Sequence, residues 1–254
     1  MQTFLAVTPG GEQAAVKFTR SISHVAYRIG PDSTLLRQNP PPQNRGGLLS
    51  ISDADGHPIR NAGALCAAVT RECGRGNYSG VVLDFEKPPS EDRKAFVRQL
   101  FDALSRTRRT LYLPERYIDA APGAVMLLCS AISGGNFSEY LQNAAARRRG
   151  GRLALDVERL RMDFCLPART GQGEPLSAAA FRALTEEYSP TVFFSQELCA
   201  RYFTYTRDGV AHFVLFDDAE TLKQKLKIGA AMGFSAAFFM WPEIRDIAGQ
   251  LGLR

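Results

Sequence analysis

Metal-ligand spacings, nucleotide loops and nucleophile elbows are all missing from this chain, and each absence removes a class of function. Cys66, Cys73, Cys129, Cys165 and Cys199 are odd in number and scattered, with no C-x-x-C pair. A disulfide framework and a zinc centre are therefore both unsupported, and the thiols are expected to be reduced core residues. His24, His57 and His212 show no ligand spacing, so surface or internally satisfied histidines are expected and no metal is assigned. The segment "TPGGEQ" after the first apolar run is not G-x-G-x-x-G, and no phosphate-binding loop occurs elsewhere, so no nucleotide cofactor is expected. "GLLSIS" is not a G-x-S-x-G elbow, which argues against a serine hydrolase triad. No window approaches the ~18 apolar residues of a membrane span. The charge excess is also slight: 31 basic against 26 acidic residues, net +5. Without a recognisable nucleic-acid module, that excess does not make nucleic acid the expected partner.

What is present is a series of short, β-rich apolar runs. Strands are expected at 3–8, 24–29, 47–52, 80–86, 110–114, 124–130, 152–157 and 236–241. Between the fourth and fifth lies "SEDRKAFVRQLFDALSRT". Ser90 can cap a helix there, Glu91 and Asp92 suit its positive end, and Phe96, Val97, Leu100, Phe101 and Leu104 form one apolar face. "DDAETLKQKLKIGAAMGFS" repeats the design before the last strand, with Asp217 or Asp218 at its start and Gly233 placed to stop it. Strands alternating with helices imply parallel pairing, and eight of them imply closure into a (β/α)8 barrel, with an open doubly wound sheet as the alternative. The stretch 188–217 breaks the alternation with two β-like runs around "RDGV", which reads as a hairpin insertion between strands 7 and 8. No long Pro/Ser linker, fixed-period repeat or low-complexity segment divides the chain, so residues 1–254 are expected to form one domain. "NAAARRRGGR" is the one dense cationic cluster, and cations before a glycine are an ordinary way to end a helix.

The fourth strand carries the chemistry. In "GVVLDFEKPP" the pleat puts Val81, Leu83 and Phe85 on one face and Val82, Asp84 and Glu86 on the other. In a barrel the apolar set packs outward against helices, so Asp84 and Glu86 point inward near the C-terminal mouth, where barrel enzymes hold their sites. Residues two apart on a strand lie about 6.5 Å apart at the backbone, close enough for the carboxyl groups to interact and hold different pKa values. That arrangement suits a general acid beside an electrostatic stabiliser.

"GVVLDFEKPPSEDRKAFVRQLFDAL" resembles the fourth strand and helix of glycoside hydrolase family 18, particularly its spore-germination and peptidoglycan-acting branch, whose pattern is D-x-x-D-x-D-x-E. "SQELCARYFTYTRDGVAHFVLFDDAETLKQKLKIGAAMGFSAAFFMW" is similar to the family's insertion, seventh helix and eighth strand. The resemblance implies a chitinase-like barrel that cleaves β-linked N-acetyl amino sugar polymers by substrate-assisted, retaining catalysis. Glu86 would be the proton donor, and Asp84 would orient the substrate's acetamido group. Trp241 would be the floor beneath the sugar, or equally a core residue.

Several positions depart from the pattern. The first two aspartates of the motif fall at Ser79 and Val82, so Asp84 lacks its neighbouring carboxylate. The sixth strand has no M-x-Y-D; Cys129, Ser130 and Ala131 stand near that tyrosine, and Ser130 is the candidate sugar contact there. Loss of one such donor costs on the order of 10²- to 10³-fold in rate. Asp156 on the seventh strand and Glu243 just beyond Trp241 are candidate compensating mouth residues. Three readings follow: a glycosidase, a catalytically weakened barrel that binds or scaffolds glycans, and an unrelated barrel enzyme using Asp84 and Glu86 with a metal. No basic segment followed by a long apolar run opens "MQTFLAVTPGGEQ", so a cytoplasmic or spore-associated place is expected, or the cell wall if a longer precursor is trimmed.

Overall fold

The computed structural model describes residues 1–38, 46–148, 150–167 and 173–253. Eight parallel strands run β1 (Gln2–Val7), β2 (Ile22–Ile29), β3 (Leu48–Ser52), β4 (Gly80–Asp84), β5 (Thr110–Pro114), β6 (Val125–Cys129), β7 (Leu153–Val157) and β8 (Ala236–Met240). Each pairs with its neighbours in order, and β1 pairs with both β8 and β2. The sheet is thus closed, a (β/α)8 barrel rather than an open doubly wound sheet.

Not every crossover carries a full helix. Helices α1 (Ala62–Gly76), α2 (Glu91–Arg106), α3 (Phe137–Arg147) and α5 (Ala219–Ala231) follow β3, β4, β6 and β7 respectively, while α4 (Ala178–Tyr188) belongs to the insertion. A 3₁₀ segment, Glu115–Ala120, joins β5 to β6. In α2 the residues Phe96, Val97, Leu100 and Leu104 are fully buried, as their i, i+3/i+4 spacing requires. At the start of α5 the two aspartates divide the work. Asp218 caps the helix in a capping box with Thr221, whereas Asp217 turns inward. Helix α3 ends on the cationic cluster: Arg147 pairs with Glu115, and Arg148 donates to the carbonyls of Pro122 and Ala124. Arg149 lies outside the described residues.

Two apolar layers result from the pleat. Inside the barrel Phe4, Leu48, Val82, Tyr112, Val125, Ala154, Ala236 and Phe238 fill the lower half. Phe4 stacks on Phe238 with ring centroids 5.0 Å apart, and Tyr112 meets Phe238 edge-on. Outside, Val81 and Leu83 of β4 and Phe85 just beyond it pack with the helical layer, the orientation expected from the alternation. Gly47 enters β3 with φ +72, and a Cβ there would lie 2.2 Å from the carbonyl of Ile22, so only glycine allows β2 and β3 to approach at this point.

The hairpin around "RDGV" is present: Ala200–Arg207 pairs antiparallel with Val210–Phe216 across Asp208 and Gly209, both at positive φ. It is the centre of a larger insertion than residues 188–217. Strand Arg161–Cys165 pairs with Val210–Phe216, and two short edge strands complete a five-stranded sheet with α4 packed on one face. The early part escapes sequence reading because "RMDFC" has no clean alternation and derives its pairing from the hairpin beyond it.

Both ends of the insertion are tied to α5 by a buried ion pair. Lys225 Nζ donates to Asp217 Oδ2 at 2.8 Å, with both side chains wholly buried, and Asp217 also accepts from the backbone N–H of Leu160 and the hydroxyl of Thr221. Removing one member leaves the other charge uncompensated in the interior. Lys225→Met is expected to lower unfolding free energy by about 3–5 kcal/mol in urea titrations. A loss within experimental error would show that Asp217 needs no cation.

Candidate active site

The C-terminal ends of the strands enclose a cavity of about 810 Å³, closed below by the Phe4–Phe238 layer. Asp84 and Glu86 open into it, as do Asp156 and Glu158 from the end of β7. The mouth therefore holds two D-x-E pairs, "LDFE" at 83–86 and "LDVE" at 155–158, on strands separated by β5 and β6. Glu158 was not singled out from sequence, although the repeat of the same four-residue pattern at two strand ends is a visible signal.

Enclosure by the cavity walls and mutual repulsion disturb two of the acids. Asp84 reaches solvent through the mouth, but burial by the surrounding walls raises its carboxyl above the usual range, and the charges of Glu86, Asp53 and Glu158 raise it further. Asp156 lies deeper. Burial first, then Glu158 and Asp84, push its carboxyl up to about 7, so that it holds a proton over much of the neutral range. The thiol of Cys129, also lining the cavity, is pushed up to about 12 by burial and by Glu158, and it remains protonated.

Helix α3 supplies a residue that the sixth strand does not. Tyr140 lines the cavity, and burial and Cys129 push its hydroxyl up to about 12. No motif spacing announces it, because it reaches the mouth from a helix rather than from a strand end. Arg116, from the 3₁₀ segment after β5, also lines the wall and donates through Nη1 to the carbonyl of Glu86 at 2.9 Å.

Three of the sequence candidates stand elsewhere. Along β8 the alternation turns Phe238 and Met240 into the barrel, which sends Trp241 outward. Trp241 is 4% exposed and packs on Phe18 with ring centroids 5.5 Å apart; it is a core residue here and not the cavity floor. Ser130 is one residue past the inward Cys129 and is fully buried on the other face, its hydroxyl without a partner among the described residues. Glu243 pairs with Arg161 and lines a second cleft between the barrel rim and the insertion, which meets the first cavity at Glu158. Among the described residues no group of three His, Cys, Asp or Glu side chains is arranged to hold a metal ion, and no helix is long and apolar enough to cross a membrane.

Comparison with known proteins yields no matching family model and no significant match among curated proteins. Solved structures do match over the whole chain. The spore cortex-lytic enzyme SleL from Bacillus cereus superposes with a TM-score of 0.71 at 15% identity, covering 98% of this chain and 74% of that one. A chitinase from Chromobacterium violaceum gives 0.71 at 16% identity, covering 99% and 98%. The family 18 chitinase from Cycas revoluta, solved with allosamidin, gives 0.68 at 14% identity, covering 99% and 98%. At such identities the likeness is one of fold: this chain has the barrel of the family 18 chitinases and cortex-lytic enzymes.

The raised carboxyl of Asp156 has a consequence for stability. In the unfolded chain it ionises near 3.8 and in the fold near 7, so between these values the native state binds more protons. Stability therefore falls as pH rises from about 4 to about 7 and stays lower above that. Asp156→Asn removes this loss: the variant is expected to melt about 2–6 °C above the parent at pH 8 and level with it near pH 4. A variant less stable than the parent at pH 8 would mean that the carboxylate is held in its charged form.

Proposed function

We propose that the protein is a glycoside hydrolase acting on β-linked N-acetyl amino sugar polymers of the peptidoglycan or chitin type. The observation that carries this reading is the placement of Asp84 and Glu86 together on the inward face at the end of β4, opening into a cavity large enough for sugar rings. Two supports stand beside it: the fold shared with chitinases and cortex-lytic enzymes, and the D-F-E ending of the strand.

In this mechanism Glu86 donates a proton to the glycosidic oxygen while the substrate's acetamido oxygen attacks the anomeric carbon from the opposite face. Asp84 holds the acetamido N–H and balances the positive charge that develops on the ring formed. Water then opens that ring with Glu86 as the base, and the product keeps its β configuration. Asp156 takes over part of the proton-sharing role that a carboxyl at position 82 would play, since its carboxyl is pushed up to about 7 and faces the same cavity as Asp84. Tyr140 supplies the hydroxyl that the sixth strand lacks.

A second reading, a barrel that binds glycans without cleaving them, draws on Val82. That side chain is buried among Leu48 and Tyr112, so the carboxylate expected directly below Asp84 is replaced by hydrocarbon. Hydrolysis of chromogenic β-N-acetylglucosaminide oligomers and of purified peptidoglycan separates the two. Glu86→Gln is expected to lower kcat at least about a hundredfold with little change in glycan binding. Binding without turnover by the parent protein would establish the second reading instead.

Tyr140→Phe tests the wall. A loss in kcat of about a hundred- to a thousandfold is expected, the range for one hydrogen-bond donor to a developing charge. Unchanged kinetics would remove Tyr140 from the site.

A further inference from the structure

We propose that Asp53, held by Arg93, is the positioning residue for Glu86, aligning its backbone from behind the barrel wall; the proposal rests on the reading of Glu86 as the proton donor. Asp53 is the residue after β3. Ser50 faces the cavity, so alternation carries Ile51 and Asp53 to the other side, and at 1% exposure Asp53 cannot touch a substrate.

Its carboxylate does something specific there. The ladder between β3 and β4 ends at Ser52 opposite Asp84, and from that point β4 has no strand partner on this side. Asp53 takes its place. Oδ1 accepts from the backbone N–H of Glu86 at 2.8 Å and of Lys87 at 3.3 Å, while Oδ2 accepts from Arg93 Nε at 2.8 Å. Arg93 is itself tied to Ser90 Oγ and to the carbonyl of His57, so the clamp joins the loops after β3 and β4 to the first turn of α2.

The far side of the same peptide segment is held as well. Arg116 donates to the carbonyl of Glu86, and Tyr117 donates its hydroxyl to the carbonyl of Lys87 at 2.8 Å. Both backbone polar groups of Glu86 are thus satisfied by charged side chains, and the direction of its Cα–Cβ bond is set before any substrate arrives. An acid placed beyond the end of a strand would otherwise ride on a free loop. A misplacement of about 1 Å at the reacting group can cost about a hundredfold in rate.

An ion pair serving only to hold the fold together would look similar, so the test must separate the charge pair from the oxygen offered to Glu86. Two double variants do this. Asp53→Leu with Arg93→Met replaces the pair by hydrocarbon of similar volume, a change that buried pairs tolerate. Asp53→Asn with Arg93→Met also abolishes the pair but keeps an amide oxygen for the two N–H groups.

With chromogenic N-acetylglucosaminide oligomers, the leucine variant is expected to lose about a hundredfold in kcat with KM within about threefold of the parent. The asparagine variant should stay within about tenfold of the parent. Amide hydrogen exchange gives a readout that needs no turnover. The N–H groups of Glu86 and Lys87 should exchange at least about tenfold faster in the leucine variant alone, with Val81–Leu83 unchanged in both. Equal behaviour of the two variants, in kcat or in exchange, would overturn the proposal. If the parent protein cleaves no glycan, the hydrolase reading falls by itself, and exchange at Glu86 and Lys87 still decides whether Asp53 holds this segment.

Discussion

Closure of the sheet, with β1 hydrogen-bonded to β8 on one side and β2 on the other, is the constraint on which everything else depends. Once the edges meet, every strand has one face turned to a narrow interior and one to the surrounding layer, and the pleat assigns side chains to them in turn, interrupted in β2 where the register shifts between Val25 and Tyr27. The interior can be filled by only a few side chains per level. Phe4, Tyr112 and Phe238 fill the lower levels, and the upper levels, lined by smaller and acidic residues, stay open. The cavity is thus what remains of the barrel's axis above its aromatic plug.

The acids in that opening are coupled by their closeness in space. Four carboxylates from two strands converge on one cavity, and full ionisation of all four would set like charges against one another. The deepest, Asp156, responds by retaining its proton, and Asp84 shifts in the same direction. Division of labour between acids in one site requires such separation of proton affinities. Here it arises from depth and from a second strand, since position 82, directly below Asp84 on β4, is valine.

Behind the wall, charged side chains do for the strand ends what hydrogen-bond ladders do for the strands. Asp53 accepts from the amides beyond β4, Arg116 on the cavity side donates to the carbonyl of Glu86, and Asp217 with Lys225 anchors the two ends of the insertion. Asp53, Asp217 and Lys225 are buried, and each is paired and hydrogen-bonded, as burial of charge demands.

The eight strands were legible because each is a short apolar run, all but the last with β-branched residues, and their ranges agree with the structure to within about two residues. The inward direction of Asp84 and Glu86 was legible for the same reason, since period 2 holds in any strand. Helix α2 announced itself by its apolar face, and the hairpin by Asp208 and Gly209. Other features depend on distance in space and leave no local pattern: the pairing of Arg161–Cys165, the arrival of Tyr140 from a helix, the recruitment of Asp53 by a segment more than thirty residues later. Trp241 shows the boundary most plainly. Its place at the end of the last strand was correct, but one residue of register decides between cavity and core, and the pairing of β8 with β1 and β7 put Met240 inside and Trp241 out. Local periodicity, written into the chain, determined the strands, the barrel and the two acids of β4. Which other side chains share their cavity was decided by closure, which brings β4 and β7 to one mouth, and what holds Glu86 in line by the lateral pairing of β4 with β3 and β5, which sets Asp53 and Arg116 on either side of it.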